Sequence, residues 1–412
     1  MEAKNDIETP KSEEVAKKNP TKELSKLQKP KKAWLVFLTT GIIALCGGVA
    51  CLLYTFLRPQ EEIVSLAFPK IPTASDGNEI FSDLTGMPID ASLKNAPAYC
   101  VQTPNGVDGA RPQSGLTDAG VIFEAIAEAG ITRFAAIYQN PTPAVIGPIR
   151  SLRLYYLEWD TPFDCTIVHA GGADDALRAV SAGGYSDLTE NYSYMYRGTY
   201  RTRLWNNLFT TPANLARFSQ NTGKTTSNIQ GFARMTPEES RKSLVNNLVT
   251  EKLEITTPTS KDTSKLEAKV SEIGLRFGGS PTFNVNYIYN AENNTYVRNF
   301  GIGPHVVYMC TDEDLGEKNP EDVCSLTTLS PSVVVAMVVS EHRASDNYHE
   351  DITTLGSGDA YVFQNGTAVR GTWNKPTRAD QIKFLDTEGN EIKLAPGQTI
   401  VSAIPQYGGI DY

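Results

Sequence analysis

RPQSGLTDAGVIFEAIAEAGITRFAAIY (111–138), GPIRS (147–151) and VHAGGADD (168–175) are the segments whose reading decides the fold. Just upstream, AYCVQ (98–102) reads as a buried strand. Thr117 is a suitable N-cap for a helix carrying Val121, Ile122, Ala125, Ile126 and Ala129 on one face and stopping at Gly130. Residues 131–138 form the next strand, Ser151 caps a helix reaching Trp159, and 164–169 form a third strand. Gly171 and Gly172 then turn into a helix over 174–181. Strands alternating with helices predict an α/β layer built on an open, largely parallel sheet.

Downstream the pattern changes. Residues 186–232 are rich in Tyr, Asn, Thr and Arg with weak periodicity and read as long loops with short helices. The polar segment TPTSKDTSKLEAK at 257–269 reads as a linker, and beyond it come strands and turns, with hairpin cues at Asn365-Gly366 and Glu388-Gly389-Asn390. The expected organisation is an α/β domain over 84–256, the linker 257–269 and a mostly β domain over 270–412.

The N-terminal 83 residues read differently. Residues 1–32 carry nine lysines and six acids with few large apolar side chains, the composition of a disordered tail. Residues 33–57 hold no charge, and 25 residues at about 1.5 Å each span a hydrocarbon core of roughly 30 Å. This is the expected single transmembrane helix. Lys26, Lys29, Lys31 and Lys32 crowd its N-terminal edge, whereas Glu61 and Glu62 follow it, so the N-terminus is expected in the cytoplasm and the bulk of the chain outside. The rival is lipidation at Cys51, which follows Ala50 but has Gly48 where a lipobox usually has Leu. Residues 58–83 read as a stalk.

Past residue 57 the chain holds 29 basic and 41 acidic side chains. That balance argues against nucleic acid as a partner, because phosphate-backbone binding needs a basic footprint. Cys100, Cys165, Cys310 and Cys324 form an even set in an oxidising compartment, for which three connectivities exist. Cys310 and Cys324 flank a polar loop that a disulfide would close, and Cys100 and Cys165 sit in apolar runs that suit neighbouring strands. Unpaired thiols are the alternative. No CxxC or Cys/His cluster suggests a metal, and no cofactor motif is present.

In a parallel sheet, the loops after the strands gather at one edge, where open α/β sheets usually bind ligands. Arg111 and Ser114 follow the first strand, Arg150, Ser151 and Arg153 the second, and His169 ends the third. Arginines at a helix start are electrostatically unfavourable unless an anion offsets them, whether a ligand, an acid such as Glu190, or solvent. Arg201 and Arg203 reach toward the same cleft from the long loop. Arg133, early in its strand, belongs to the opposite edge, paired with Glu124 or Glu128. His169 with Asp174 or Asp175 is the candidate acid/base pair, although a hydrogen-bonded histidine at a strand end is the plainer reading. His305 and His342 read as core or edge residues. GxSxG, HExxH, P-loop and GxGxxG signatures are missing.

RPQSGLTDAGVIFEAIAEAGITRFAAIYQ, IGPIRSLR and FDCTIVHAGG, extended by YRTRLWNNLFTTP, resemble the bacterial YerB-like family (domain of unknown function 3048). LGSGDAYVFQNGTAVRGTWNKPTRADQIKFLD with GNEIKLAPGQTIV resembles that family's C-terminal domain, so the likeness covers most of residues 84–408. The resemblance implies an envelope protein, usually a membrane-attached lipoprotein, with an N-terminal α/β and a C-terminal β domain, and it implies no particular reaction. It carries over to Arg111, Ser114, Gly115, Glu124, Arg133, Arg150, Ser151, Arg153, His169, Gly171 and Gly172. Two departures stand out: the lipobox is replaced by the long anchor, and Val307 stands where an Asp is expected, which weakens a catalytic role for His305.

The functional expectation is a membrane-anchored extracytoplasmic protein that binds an anionic small molecule or envelope glycopolymer. Arg111, Arg150 and Arg153 would make the anion contacts and His169 would be an orienting donor. The alternatives are an envelope-polymer hydrolase or transferase using His169 or a loop carboxylate, and a scaffold acting through the β domain.

Overall fold

The computed structural model describes residues 79–198, 204–244, 270–310 and 324–412. The expected tail, transmembrane helix and linker, most of the stalk, and Arg201 with Arg203 lie outside the described residues. Among the described residues no helix is long and apolar enough to cross a membrane.

Ten strands make the main sheet: β1 (Ala98–Pro104), β2 (Val121–Glu128), β3 (Ile131–Gln139), β4 (Thr166–His169), β5 (Asp187–Thr189), β6 (Val333–Val339), β7 (Gly356–Gln364), β8 (Thr367–Lys375), β9 (Lys383–Leu385) and β10 (Thr399–Pro405). Their order is β9-β8-β7-β6-β10-β2-β3-β1-β4-β5. Strands from both halves of the chain therefore share one sheet, joined where β10 pairs in parallel with β2.

The sheet is mixed, which corrects the expectation of a largely parallel one. The pairs β6-β10, β10-β2, β1-β4 and β4-β5 are parallel. The other five are antiparallel.

The cause is β2, which was expected to be helical. VIFEAIAE is buried at every position, so it needs apolar side chains on both faces, and a continuous apolar run does not by itself separate a buried strand from a helix. Ala129 and Gly130 do not stop a helix. Both have positive φ (49° and 74°) and make the two-residue turn of the β2-β3 hairpin. Asn365 and Gly366 (φ 51° and 72°) do the same between β7 and β8, as expected from the sequence.

Helices α1 (Leu154–Asp160) and α2 (Asp174–Ala182) cover one face of the sheet, packing on Phe123, Ala125 and Val335. Ser151 does not cap α1, since the N-cap position is Arg153 and makes no side-chain cap bond. The other face carries Ile122, Ile126 and Val334. It is covered by a five-stranded antiparallel sheet in the order Gly303–Pro304, Thr295–Phe300, Val285–Asn290, Glu272–Arg276, Gly409–Asp411, and by helix α3 (Pro212–Thr222) through Leu215 and Phe218.

Of the options the cysteines left open, two disulfides form. Cys100–Cys165 ties β1 to the residue before β4, and Cys310–Cys324 closes the polar loop. In the chain-entropy account such cross-links, 65 and 14 residues apart, stabilise by about 3–5 kcal/mol each.

A buried ion pair links the two layers. Arg298 donates to Glu124 Oε1 at 2.7 Å with both side chains 0% exposed. Ser402 and Asn105 also donate to that carboxylate, and Arg298 further donates to Tyr287 and to His305 Nδ1. With Nδ1 accepting, His305 donates through Nε2 to Gln113 Oε1 at 2.9 Å. Burial and the neighbouring Arg298 and Arg111 hold its pKa well below the usual histidine value, so it is a neutral core residue.

Glu124→Gln is expected to destabilise by about 3–5 kcal/mol, because Arg298 is then a buried charge without its counter-ion. Glu124→Met with Arg298→Met should recover most of the loss. The denaturant midpoints of the three proteins check both outcomes.

Candidate functional site

A β-bulge sets the site. The register of β2 on β3 shifts between Ile126 and Glu128, and an extra residue in one strand turns the following side chain to the other face. Glu124 therefore points to the small sheet, while Glu128 points to the helix side. There it accepts from two guanidinium groups, Arg133 Nη2 at 2.7 Å and Arg153 Nη2 at 2.5 Å. Arg133 also donates to Ser151 O, and Arg153 to Leu152 O.

Arg133 thus shares an edge with Arg150 and Arg153, contrary to expectation. Because β3 runs antiparallel to β1, its start lies beside the end of β1, with Arg133 opposite Pro104. Of the two partners offered by the sequence, Glu128 pairs with Arg133, while Glu124 pairs with Arg298. Burial raises the Glu128 carboxyl, but Arg133 and Arg153 outweigh it and hold the pKa below its ordinary value. Burial and the nearby Arg153 lower Arg133 to about 10.

Arg150 is the third cation. Its backbone N–H donates to Gln102 O and its carbonyl accepts from Ala170 N, which fixes the chain between β1 and β4. Its guanidinium makes no hydrogen bond among the described residues, and its Nε is buried, as are the unpartnered Nε atoms of Arg133 and Arg153. Burial lowers its pKa, with Glu128 and Asp108 opposing. Three guanidinium groups therefore surround one carboxylate, and the least satisfied of them lines a cavity of about 260 Å³ with Ile149, Ala170, Glu190, Arg197, Trp205 and Leu208.

That cavity wall is braced. Arg197 pairs with Glu190 at 2.5 Å and donates to Asn207 Oδ1 at 2.8 Å, and the Tyr192 hydroxyl donates to Glu190. The Trp205 indole N–H donates to Asp108 Oδ2 at 3.0 Å. Glu190, suggested as the internal partner of the cluster, is held by Arg197 instead.

The other expected site residues do not converge here. Arg111 lies on the small-sheet face, its Nε donating to Asn105 Oδ1 at 2.9 Å and its guanidinium 3.7 Å from the centre of the Phe300 ring. Burial and the nearby Arg298 lower its pKa to about 9. Ser114 exchanges backbone hydrogen bonds with Gly147, and its buried hydroxyl has no partner among the described residues. Ser151 contributes its carbonyl.

His169 is buried with both ring nitrogens engaged, Nδ1 at 2.7 Å from Gly171 O and Nε2 at 2.8 Å from Asp187 Oδ1. Its carboxylate is Asp187, not Asp174 or Asp175, which start α2. His342 is exposed, 3.7 Å from Asp351. Among the described residues no group of His, Cys, Asp and Glu could hold a metal ion.

A second cavity, about 430 Å³, opens at the ends of the parallel strands β6, β10 and β2. Glu341 follows β6 and accepts from the Tyr407 hydroxyl at 2.8 Å, while its Oε2 is buried and unpartnered among the described residues. Burial pushes its pKa up to about 7. The sequence VVSEHRA gives no sign that this glutamate is covered.

Glu128→Gln is expected to cost about 3–5 kcal/mol at pH 7 by leaving Arg133 and Arg153 without their counter-ion. The folded pKa of Glu128 is depressed, so its contribution is full above its unfolded value near 4.5 and is lost as pH falls through the folded value. The gap between wild type and variant should therefore be constant near neutrality and narrow in acid. Unfolding measured from pH 7 to pH 3 checks this.

The comparisons with known proteins agree with this architecture. The family described as protein of unknown function (DUF3048) matches through its N-terminal domain over residues 84–226 and its C-terminal domain over 273–401. YerB of Bacillus subtilis (strain 168), provisionally described as a lipoprotein, is 24% identical over 327 residues, which is 78% of this chain and 85% of YerB. The crystal structure of Bacillus subtilis YerB aligns with a TM-score of 0.63 at 20% identity, covering 81% of this chain and all of that one.

Proposed function

This chain belongs to the YerB-like family, with both DUF3048 domains present, and on that premise we propose that it is a membrane-attached extracytoplasmic protein that binds a small anionic ligand at Arg150. The relative's description as a lipoprotein supports the location, and the uncharged run 33–57 with its flanking lysines supports attachment by a single-pass anchor.

One observation carries the binding reading. Arg133 and Arg153 share Glu128, while the Arg150 guanidinium beside them has no hydrogen-bond partner among the described residues and lines an open cavity. A buried N–H without an acceptor costs free energy, and a carboxylate or phosphate oxygen would satisfy it with a charge-assisted bond. Anchoring arginines on braced strands and loops rather than on a mobile tail suits such a role.

Inorganic phosphate titrated into the full-length protein by calorimetry at low salt should bind, and added salt should weaken the binding. Arg150→Ala should lower the affinity by about tenfold or more, the worth of one charge-assisted bond, while leaving the melting temperature within a few degrees, since the Arg150 guanidinium makes no hydrogen bond among the described residues and the like-charged Arg153 beside it opposes its charge. Unchanged affinity in the variant would end this reading.

The hydrolase or transferase alternative keeps one specific support, which is Glu341. A carboxyl near pKa 7 is suited to proton transfer at neutral pH, and it sits beside a cavity at the ends of three parallel strands. If purified cell-wall polymer is cleaved, Glu341→Gln should abolish the cleavage. Cleavage that persists in that variant rules out Glu341 as the acid/base.

A further inference from the structure

We propose that the anion held at Arg150 is carried on a sugar, so that the cleft reads a glycan unit bearing a phosphate or carboxylate and stacks its ring on Trp205. The inference rests on the anion-binding reading and adds the chemical class of the rest of the ligand.

Trp205 is the observation that leads there. The other described tryptophans, Trp159 and Trp373, are 1% and 2% exposed, whereas Trp205 is 46% exposed and forms part of the cavity wall beside Arg150. It is exposed but positioned. Its N–H is tied to Asp108 Oδ2, and the next residue, Asn206, donates to both the carbonyl and Oδ1 of Asp108 at 3.2 Å. Such anchors set the plane of the ring before anything binds, which lowers the ordering cost of association.

Two more exposed aromatics stand near. Tyr192 is 63% exposed, with its hydroxyl held between Glu190 and the Arg197 Nε, and Tyr348, 59% exposed, lies within electrostatic reach of Arg150. Aromatic rings with one apolar face and one anchored polar tip suit partners that are part apolar and part wet. The C–H face of a sugar ring is such a partner.

The carboxylates decide between a bare anion and a hydroxylated one. Glu190 lines the cavity with Arg150, and Asp108 exerts its charge on the same guanidinium. Toward inorganic phosphate both are repulsive. Toward a ligand whose charge sits at one end and whose other groups are hydroxyls, both are acceptors for O–H donors. The volume agrees, since about 260 Å³ falls below the roughly 300–1,000 Å³ of pockets that enclose whole drug-sized ligands. One ring would sit inside, and any further units would extend over the exposed aromatics.

The test uses the full-length protein with five probes: inorganic phosphate, glucose 1-phosphate, glucuronic acid, neutral glucose and triglutamate. Calorimetry gives affinities, and a quench of the indole fluorescence that is lost in Trp205→Phe reports contact at Trp205, one of the chain's four tryptophans. At least one sugar anion should bind about tenfold or more tighter than phosphate, a gain of the size aromatic packing supplies, and should quench the fluorescence. Whether glucose 1-phosphate or glucuronic acid wins tells a phosphate-bearing from a carboxylate-bearing glycan. Trp205→Ala should bring the sugar anion's affinity down to that of phosphate without changing phosphate itself, and Trp205→Phe should retain most of the preference.

Equal affinities for phosphate and both sugar anions would overturn the sugar assignment and leave the anion site standing. Tighter binding of triglutamate would overturn it in favour of an acidic peptide. No binding of phosphate or of either sugar anion would remove the anion site itself, and the sugar assignment with it.

Discussion

Strand Val121–Glu128 is buried on both faces and still carries two carboxylates, and that constraint organises the molecule. A carboxylate taken out of water loses several kcal/mol of hydration unless cations and hydrogen bonds replace it. Glu124 meets the requirement on one face with Arg298, Tyr287 being bonded to the same guanidinium. This couples the ten-stranded sheet to the small one. The bulge sends Glu128 to the other face, where Arg133 and Arg153 meet it. The second arrangement over-compensates, because two guanidinium groups surround one carboxylate and Arg150 adds a third. The Arg150 guanidinium, which makes no hydrogen bond among the described residues, is what makes its cleft a candidate site rather than another buried pair.

How far the sequence could be read follows from the same strand. The α1 and α2 helices, the apolar strands β1, β3 and β4, the Asn365-Gly366 hairpin and the pairing options of the cysteines were legible because each depends on local periodicity or turn chemistry. VIFEAIAE was not. Its alanines and glutamates favour a helix, and only burial on both faces makes it a strand, a property set by distant segments, α1 and α2 on one face and the small sheet around Arg298 on the other. Taking this element as a helix also fixes a parallel sheet direction and puts Arg133 at the wrong edge. The loop position of Arg150 and Arg153 is readable from the sequence because it does not depend on the direction of β2. Arg111 was grouped with them wrongly, since its segment turns to the opposite face of the sheet. His169 is the hydrogen-bonded strand-end histidine of the plainer reading, but its partner Asp187 comes from a strand 18 residues later that the polar composition conceals.

The charge balance also limits what the cleft can accept. Past residue 57 the chain carries 41 acidic and 29 basic side chains, so its overall field repels anions, although at physiological salt exposed charges are screened within roughly 8 Å. An anion therefore gains little from long-range steering and must be recognised at contact. On the far side of Arg153 the neighbouring cavity is acidic, with Glu158, Asp174, Asp175, Asp346 and Glu350 on its walls, and Glu190 borders the Arg150 cavity itself. A polyanion would have to place its remaining charges against these carboxylates. A ligand with one charged end and a neutral hydroxylated body meets no such opposition, because the same carboxylates that repel phosphate accept hydroxyl donors. In the proposed reading, selectivity at this cleft would depend as much on the acids around Arg150 as on the arginine itself.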